Sequence, residues 1–444
     1  MSKRRIGGLT WCAALVMVMN LMGGCGSEDP APPSESEFTA AAAFDGNQAR
    51  QWMDEISIRI EADALSPPQA SRVMAYSSVA IYETSVDGMP EHQSLGGQLQ
   101  GLGAMPRGKR GASYDVAVIM DAAMGHLVAL LFDDGQSRSH LSNFAAQRIQ
   151  SARDEGIDDA VIQDSIRRGI LIAEVIDTWA SNDGYHGLED RRFTPPEGEH
   201  AWEPTGDVDE PLEPHWSSLR PFVLAEPDQC QPAEPHEFST DSSSAFYDQA
   251  YQVWEVSQTL DEEQRTIAQF WSDDPGLTAT PPGHWMALAG QLIDDHDLNL
   301  EEASTLYALL GIATFDAVIS CWEEKYRAYL MRPVTYIQEH IDPAWEPLLT
   351  TPPFPEYTSG HSTFSGAAAT ILSEVLGDIS FEDRTHDHRD MESRHFDDFH
   401  QAADEAARSR LYGGIHYPMA NENGLTQGQC VADSVLEAID LRAE

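Results

Sequence analysis

The chain has 444 residues, of which 73 are acidic and 27 are basic, so its formal net charge at pH 7 is −46. This acidity argues against nucleic acid and anionic lipid surfaces as partners, because both repel a negatively charged protein. A hydrophobic content of 41% excludes a chain that is disordered throughout, since it is enough for a sizeable packed core.

The first 25 residues are typical of a bacterial export signal. Basic residues precede an apolar stretch that is too short to span a membrane, and two glycines stand directly before Cys25. This arrangement resembles a lipobox, at which cleavage leaves a lipid-bearing cysteine. We predict a signal peptide at 1–24, lipid attachment at Cys25 and an acidic Pro/Ser-rich tether at 25–43. The exported protein is then held at the outer membrane, in the periplasm or at the cell surface by this lipid alone; simple secretion is the alternative.

From residue 44 onward, Ala, Leu, Ile and Met recur every three to four residues, which predicts amphipathic helices. No strand pattern competes, so we predict an all-α fold. The helical patterns fall into an N-terminal region at 44–193 and a C-terminal region at 244–444, which the family resemblance given below implies are two helical bundles. The predicted helices span residues 47–64, 69–86, 112–132, 138–156, 158–182, 244–259, 261–271, 303–331, a segment from about 402 to 412, and 424–441.

The segment between the two bundles, at 194–243, has an unusual composition. Nine prolines between Thr194 and Pro235 exclude regular helix, and several aromatic residues provide apolar anchors. We predict a segment that wraps around the protein, either as the roof of a site or as a structural clasp. Once Cys12 is removed and Cys25 carries lipid, the cysteines left are Cys230, Cys321 and Cys430, so at most one disulfide can form and its pairing stays open.

Three motifs in the C-terminal half carry polar residues of one kind. The helix predicted at 303–331 places Lys325 and Arg332 on one face, seven residues apart. Thr358–His361 ends a loop and opens a helix, where free N–H groups, a glycine and a serine hydroxyl can bind phosphate-like oxygens. Arg410 and His416 flank a Gly-Gly break. Each alone has an ordinary explanation, a solvated face or a helix cap, but together they predict an oxyanion site.

In this order, the segments K-x6-R-P, S-G-H and S-R-x5-H resemble the signature of the type 2 phosphatidic acid phosphatase superfamily, which includes acid phosphatases and vanadium-dependent haloperoxidases. The resemblance implies two packed helical bundles around a vanadate site, which phosphate can also occupy. It implies that His416 forms the protein bond to vanadium and that His361 is an acid–base catalyst. Oxygens of the anion are then held by Lys325, which also has a catalytic role, and by Arg332, Ser359, Gly360 and Arg410.

Further residues favour the haloperoxidases within this superfamily. Trp322 and Phe354 resemble residues that line the haloperoxidase pocket. Asp274 aligns with an aspartate that braces site arginines, and Asp273 is the alternative. The implied function is a vanadium-dependent haloperoxidase that uses vanadate and hydrogen peroxide to oxidise halide to hypohalous acid. Two alternatives stay open: an acid phosphatase that attacks a phosphomonoester through His416, and a non-catalytic anion-binding lipoprotein of the same fold. An oligomer is compatible with each.

One position departs from the family pattern. Many relatives carry an aspartate four residues after the motif-three histidine, where it orients the imidazole, but this chain has Ala420. Asn421, Glu422 or a backbone carbonyl are the candidates to replace it.

Four histidines between residues 383 and 400 invite a zinc interpretation. Their spacing is not a recognised zinc pattern, and no cysteine lies nearby. We therefore interpret this stretch as a polar surface connection. The four are His386, His388, His395 and His400.

Overall fold

The all-α prediction is confirmed in a computed structural model, which describes residues 35–188, 190–205 and 210–443. The predicted signal peptide and Cys25 lie outside these residues. Strand structure in the described part amounts to two short pairs: β1 (Glu37–Phe38) with β2 (Ser113–Tyr114), and β3 (Phe381–Asp383) with β4 (Arg394–Phe396). The helices are α1 (Asn47–Ala62), α2 (Pro67–Ser85), α3 (Val116–Leu131), α4 (Gly135–Asp154), α5 (Asp159–Ser181), α6 (Ala245–Ser257), α7 (Glu262–Phe270), α8 (Thr280–Asp295), α9 (Leu300–Ala328), α10 (Pro333–His340), α11 (Gly360–Leu376), α12 (Phe399–Tyr412) and α13 (Pro418–Ala438).

Local capping explains where several helices begin. The side chain of Ser66 accepts a hydrogen bond from the N–H of Gln69, whose side chain accepts from the N–H of Ser66, so α2 begins with a complete capping box. Asn299 and Glu302 cap α9 in the same way. Helices α8, α10 and α13 carry proline at their start, where the missing N–H costs nothing. The predicted helices do not include α8 and α10, and the predicted start of α13 is too late, because prolines at these positions were interpreted as helix breaks.

The end of α9 corrects one prediction. The apolar pattern continues to residue 331, but the helix ends at Ala328, because Tyr329 adopts a left-handed conformation with φ 44°. Lys325 therefore lies in the last turn of α9, whereas Arg332 stands at the start of α10. The two cations do not share a helical face as predicted. Leu330 and Met331 are still buried, although in irregular structure, so their apolar character did not report a helix.

Helix α9 lies at the centre of the fold. It packs against α2 on the N-terminal side and against α11 and α13 on the C-terminal side, and a single hydrophobic core contains residues of both predicted bundles. It is long and apolar enough to cross a membrane, but 94% of its most apolar window is buried inside the protein, as in a core helix. The bundle boundaries at 193 and 244 stay a prediction. Within the predicted tether, residues 37–38 form β1 and Ala41 is buried in a short turn.

The Pro-rich segment is fastened to the core by polar contacts. The buried carboxylate of Asp316 on α9 accepts hydrogen bonds of 2.7 to 2.9 Å from three successive N–H groups of the segment. The N–H of Leu212 donates to the carbonyl of Pro353 at 2.8 Å. A disulfide joins Cys230 to Cys430 on α13, and Cys321 is a buried free thiol. These contacts hold the segment against the core, as expected for a structural clasp. The same segment also lines the cavity described next.

Candidate functional site

The three sequence motifs meet at a cavity of about 390 Å³. Its wall includes the side chains of His361, Arg410 and His416 together with Gly360, and it is extended by Leu212 and Glu213 of the Pro-rich segment. Apolar side chains complete the wall, namely Trp322, Phe354, Phe364 and Ile415. Lys325, Arg332 and Ser359 are fully buried beside this wall. All residues predicted from the motifs are thus found in or next to a single hollow.

His416 is held between an acid and a guanidinium. Its Nδ1 lies 2.9 Å from Oε1 of Glu356, and its Nε2 lies 3.0 Å from Nη1 of Arg332. Burial, together with the charges of Arg332, Lys325 and Arg410, holds the pKa of His416 well below its ordinary value. The ring is therefore neutral at pH 7. Glu356, whose own pKa burial raises to about 7, accepts the Nδ1 proton when it is ionised. The lone pair is then on Nε2, which faces Arg332 and is the atom that can coordinate a metal.

Glu356 is the functional residue that sequence reasoning missed. Ala420 is buried in the core, and its side chain has no polar group that could orient the imidazole as the expected aspartate would. Its backbone carbonyl accepts from the N–H of Ser359. The side chain of Asn421 faces Ser362 instead of the imidazole. Glu356 fills the role, and its Oε1 also accepts from the N–H of Tyr417 at 2.9 Å. The sequence feature that could have indicated this role is a single acidic residue in an apolar, proline-containing loop directly before the S-G-H motif.

Arg332 is buried with one donor group unused. Its Nε donates to the carbonyl of Phe354 at 2.9 Å, and its Nη1 donates to the carbonyl of Ile415 at 2.8 Å. Its Nη2 has no hydrogen-bond partner among the described residues. Burial lowers the pKa of Arg332 to about 10, although the charge of Glu356 opposes this. A desolvated cation with a free N–H group is a strong binding element for an anion.

Lys325 has a different geometry from the one the resemblance implied. Its ammonium donates to the carbonyls of Pro355 and Glu356, each at 3.1 Å, and to the carbonyl of Thr358. An ammonium has three donors, so all of them are directed at this loop. Burial lowers the pKa of Lys325 to about 7. Lys325 therefore fixes the loop that carries Ser359 and Gly360, and its direct contact with an anion stays a prediction.

Arg410 lines the cavity without the predicted aspartate partner. Its Nε donates to the hydroxyl of Ser409 at 2.8 Å, and its Nη2 donates to the carbonyls of Ala268 and Trp271. Burial lowers the pKa of Arg410 to about 10, which the charges of Asp273 and Asp274 partly offset. In the described part of the chain, neither aspartate comes within 4 Å of the guanidinium as an ion pair. Asp274 is exposed at the rim, so the brace predicted there is provided by backbone carbonyls.

The second motif opens α11 as predicted. Ser359 is the N-cap, and Gly360 is the first helical residue, so the Gly360 N–H is one of the donors that a helix start leaves free. The Nε2 of His361 and the Nε1 of Trp322 are buried atoms without a hydrogen-bond partner in the part of the chain described. Burial and the charge of Arg410 hold the pKa of His361 well below its ordinary value. Donor groups without partners and a neutral imidazole therefore face the same cavity.

The four histidines of the predicted surface connection have different environments. His388, His395 and His400 are exposed, as expected. His386 is buried with 3% of its surface accessible, so the prediction is wrong for this residue. It packs against His284 at a ring distance of 4.8 Å, and this contact spans 102 positions of the chain that no local pattern connects.

Comparison with known proteins identifies the family. Residues 305–442 match the family model of the VCPO second helical-bundle domain. The solved structure of a bacterial vanadium-dependent iodoperoxidase is 35% identical, with a TM-score of 0.84, and the alignment covers 90% of this chain and 98% of that one. A bacterial vanadium-dependent chloroperoxidase structure at 15% identity shares the fold, with a TM-score of 0.62 over 84% of this chain and 92% of that chain.

A curated relative extends the comparison to a fungal protein. The vanadium chloroperoxidase of Curvularia inaequalis is 25% identical in an alignment of 249 residues that covers 40% of this chain and 41% of the relative. The match thus spans less than half the length of that protein. The iodoperoxidase structure, by contrast, is matched over nearly its whole length at an identity well above that of a shared fold alone. This chain therefore belongs to the vanadium-dependent haloperoxidase family.

Proposed function

We propose that the protein binds vanadate and catalyses the oxidation of a halide by hydrogen peroxide, which releases hypohalous acid and water. The main observation behind this proposal is the environment of the His416 imidazole. A neutral imidazole directs the Nε2 lone pair into a buried group of cations, and unpartnered donors face the same hollow. This donor set fits a small oxoanion that also accepts one bond from nitrogen.

The residues that would hold vanadate follow from their free groups. The Nη2 of Arg332, the N–H of Gly360 and the guanidinium of Arg410 would donate to its oxygens, and Nε2 of His416 would bind vanadium. Bound vanadate supplies a Lewis acid that polarises the peroxide without a change in its own oxidation state. The buried positive charges would stabilise the negative charge that develops on oxygen, because a preorganised site of low dielectric strengthens such interactions.

His361 is the residue placed to move protons. Its Nε2 is neutral and unpartnered in the described structure, and its ring lines the cavity. It would accept the proton that hydrogen peroxide loses on binding and return it to the oxygen that leaves as water. Halide, peroxide and one proton then give hypohalous acid and water, so the reaction balances. Because its pKa is held well below the ordinary value, His361 is unprotonated at neutral pH and can accept this proton.

We expect iodide to be the halide oxidised most readily. The 35% identical structure is that of an iodoperoxidase. The part of the wall formed by Trp322, Phe354, Phe364 and Ile415 is apolar, and it favours a large, weakly hydrated anion over a small, strongly hydrated one. Chloride pays the larger desolvation cost on entering such a pocket.

The test is a pair of assays on the same purified protein. Oxidation of iodide and of bromide is measured with vanadate and hydrogen peroxide, and release of phosphate from an aryl phosphate is measured without vanadium. Vanadate-dependent halide oxidation that disappears in His416→Ala and persists in the surface control His395→Ala supports the proposal. Rapid phosphate release without halide oxidation would assign the acid phosphatase instead. If neither activity is found but vanadate binds stoichiometrically, the protein is a non-catalytic anion binder.

We further propose that the protein is exported. The Cys230–Cys430 disulfide supports this, because disulfides persist in oxidising compartments. Lipid attachment at Cys25 is tested by labelling cells with a fatty acid analogue. Label on the wild-type protein and its loss in Cys25→Ser are the expected results, and an unlabelled, freely secreted protein would refute the anchor.

A further inference from the structure

A second polar cluster adjoins the cavity, and one of its members, Asp273, lines the cavity wall. It combines Asp273 from the loop between α7 and α8, His284 from α8, Asp383 from the end of β3, and His386 from the turn that follows. None of these four side chains is more than 3% exposed. Two carboxylates and two imidazoles are therefore buried together, at a place where three separate segments of the chain meet.

The distances show an ordered arrangement around His284. Its Nδ1 lies 2.9 Å from Oδ2 of Asp273, and its Nε2 lies 2.8 Å from Oδ2 of Asp383. Asp383 can therefore accept the Nε2 proton, which leaves the lone pair of His284 on Nδ1 and directed towards Asp273. A histidine whose far nitrogen donates to a carboxylate is the usual arrangement of a metal ligand.

Several polar atoms in the cluster are unused. Within the described ranges, Oδ1 of Asp273 and both ring nitrogens of His386 are buried atoms without a hydrogen-bond partner. The Nε2 of His386 and this oxygen face each other across 3.3 Å. Buried polar atoms without partners are costly, because they have lost the hydrogen bonds of water. His386 is thus a buried ligand group directed at an acid with which it makes no hydrogen bond.

The charge of the cluster is also unbalanced. If both aspartates are ionised, one imidazolium leaves a net negative charge in a buried place, whereas a divalent cation neutralises both. Two carboxylates lie within 2.9 Å of the nitrogens of His284, so this buried place favours a positive charge.

We propose that Asp273, His284 and His386 form a binding site for a divalent transition-metal ion, for which Zn²⁺ is the best-matched candidate. Two imidazoles and one carboxylate are ligands that zinc accepts, and its bonds of about 2.0 to 2.2 Å place neighbouring ligand atoms roughly 3.4 Å apart. Here Oδ2 of Asp273 lies 2.9 Å from Nδ1 of His284, and Oδ1 of Asp273 lies 3.3 Å from Nε2 of His386. With one ligand atom taken from each residue, the three atoms lie within 4.8 Å of one another. The bound ion would link the β3–β4 region to α8 and stabilise the contact between them.

The test uses the full chain without vanadate, so that it does not depend on the proposed function. The protein is dialysed against a chelator and titrated with Zn²⁺, and bound metal per chain and the thermal unfolding midpoint are measured. We expect one equivalent of Zn²⁺ to bind and to raise the midpoint by several degrees. Mg²⁺, which avoids imidazole ligands, should not replace it. Co²⁺ in place of Zn²⁺ should give a visible spectrum typical of nitrogen and oxygen ligands.

Variants separate a metal site from a purely structural cluster. His386→Gln should lose the bound Zn²⁺ and the rise in midpoint, and it should fold, because His386 makes no hydrogen bond to lose. His395→Gln, on the exposed face of β4, is the matched control and should behave as the wild type. Asp383→Asn keeps all three proposed ligands but weakens the hydrogen bond that orients His284. The affinity for Zn²⁺ should therefore fall by about 10- to 100-fold. Absence of stoichiometric zinc, or equal binding by His386→Gln, would overturn the proposal.

Discussion

The Nδ1 atom of His416 lies 2.9 Å from Oε1 of Glu356, a residue 60 positions earlier in the chain. This contact takes the place of the aspartate that the family pattern led us to expect at the position of Ala420. It sets the tautomer of the proposed vanadium ligand, and it comes from the same loop that carries the S-G-H motif. The loop therefore orients the imidazole and also presents Gly360 to the anion.

The first prediction concerns this pair. Glu356→Gln keeps the shape of the side chain but removes the charge that stabilises the Nδ1 proton of His416. We expect vanadate affinity to fall by about 10- to 100-fold, as for other groups that orient a metal ligand, with little loss of stability. Equilibrium dialysis of vanadate measures the affinity. Glu323→Gln, a change of the same charge on the adjoining helix, is the control, and equal affinity in Glu356→Gln and the wild type would contradict the assigned role.

Lys325 provides a second prediction, about stability. Lys325→Met removes a donor from three buried carbonyls, of Pro355, Glu356 and Thr358, and leaves them without partners. We expect the free energy of unfolding to fall by about 3 kcal/mol even without any anion, because unsatisfied buried acceptors cost about 1 to 3 kcal/mol each. Urea denaturation of the anion-free protein measures this. If Lys325→Met impaired only anion binding, the lysine would instead act directly on the anion.

The lowered pKa of Lys325 leads to a third prediction, on pH. Burial brings this pKa to about 7, so the anion-free protein loses a proton from Lys325 as pH rises through that value. A bound anion favours the charged ammonium, so above pH 7 binding must take up a proton, and affinity should fall by up to about tenfold per pH unit. Sulfate is a suitable probe, because it does not titrate in this range.

Calorimetry of sulfate binding in two buffers of different ionisation enthalpy counts the protons taken up. We expect uptake near one proton at pH 8 and almost none at pH 6. Lys325→Arg is the matched variant, because its guanidinium stays charged throughout this range and the uptake due to Lys325 should disappear. Any smaller uptake that is left belongs to Glu356, whose pKa burial also raises to about 7. Uptake that is unchanged in this variant would assign the titration to another group.

The disulfide gives a fourth prediction. Cys230→Ser removes the link between the Pro-rich segment and α13, which closes a loop of 200 residues. We expect the free energy of unfolding to fall by about 2 to 5 kcal/mol, the usual range for a native disulfide. Cys321→Ala, which removes the buried free thiol, is the comparison and should respond to reducing agent as the wild type does. If reducing agent leaves the wild-type midpoint unchanged, the bond does not contribute to stability.

The sequence could predict the parts of this molecule that local patterns encode. Capped amphipathic helices such as α2 and the helix start at Gly360 follow from spacing and N-cap residues alone. The contacts of Glu356 with His416 and of His284 with His386 join residues far apart in the chain, and no local pattern reports them. The end of α9 was missed for a related reason, since Leu330 is buried by tertiary packing outside any helix.

The most direct test of the central claim is a crystal structure of the protein soaked with vanadate, alongside one of His416→Ala treated in the same way. We predict vanadium bound to Nε2 of His416, with its oxygens in contact with Arg332, Gly360 and Arg410, and no ordered vanadium at that position in the variant. Vanadate bound away from this hollow, or bound equally well without His416, would contradict the account.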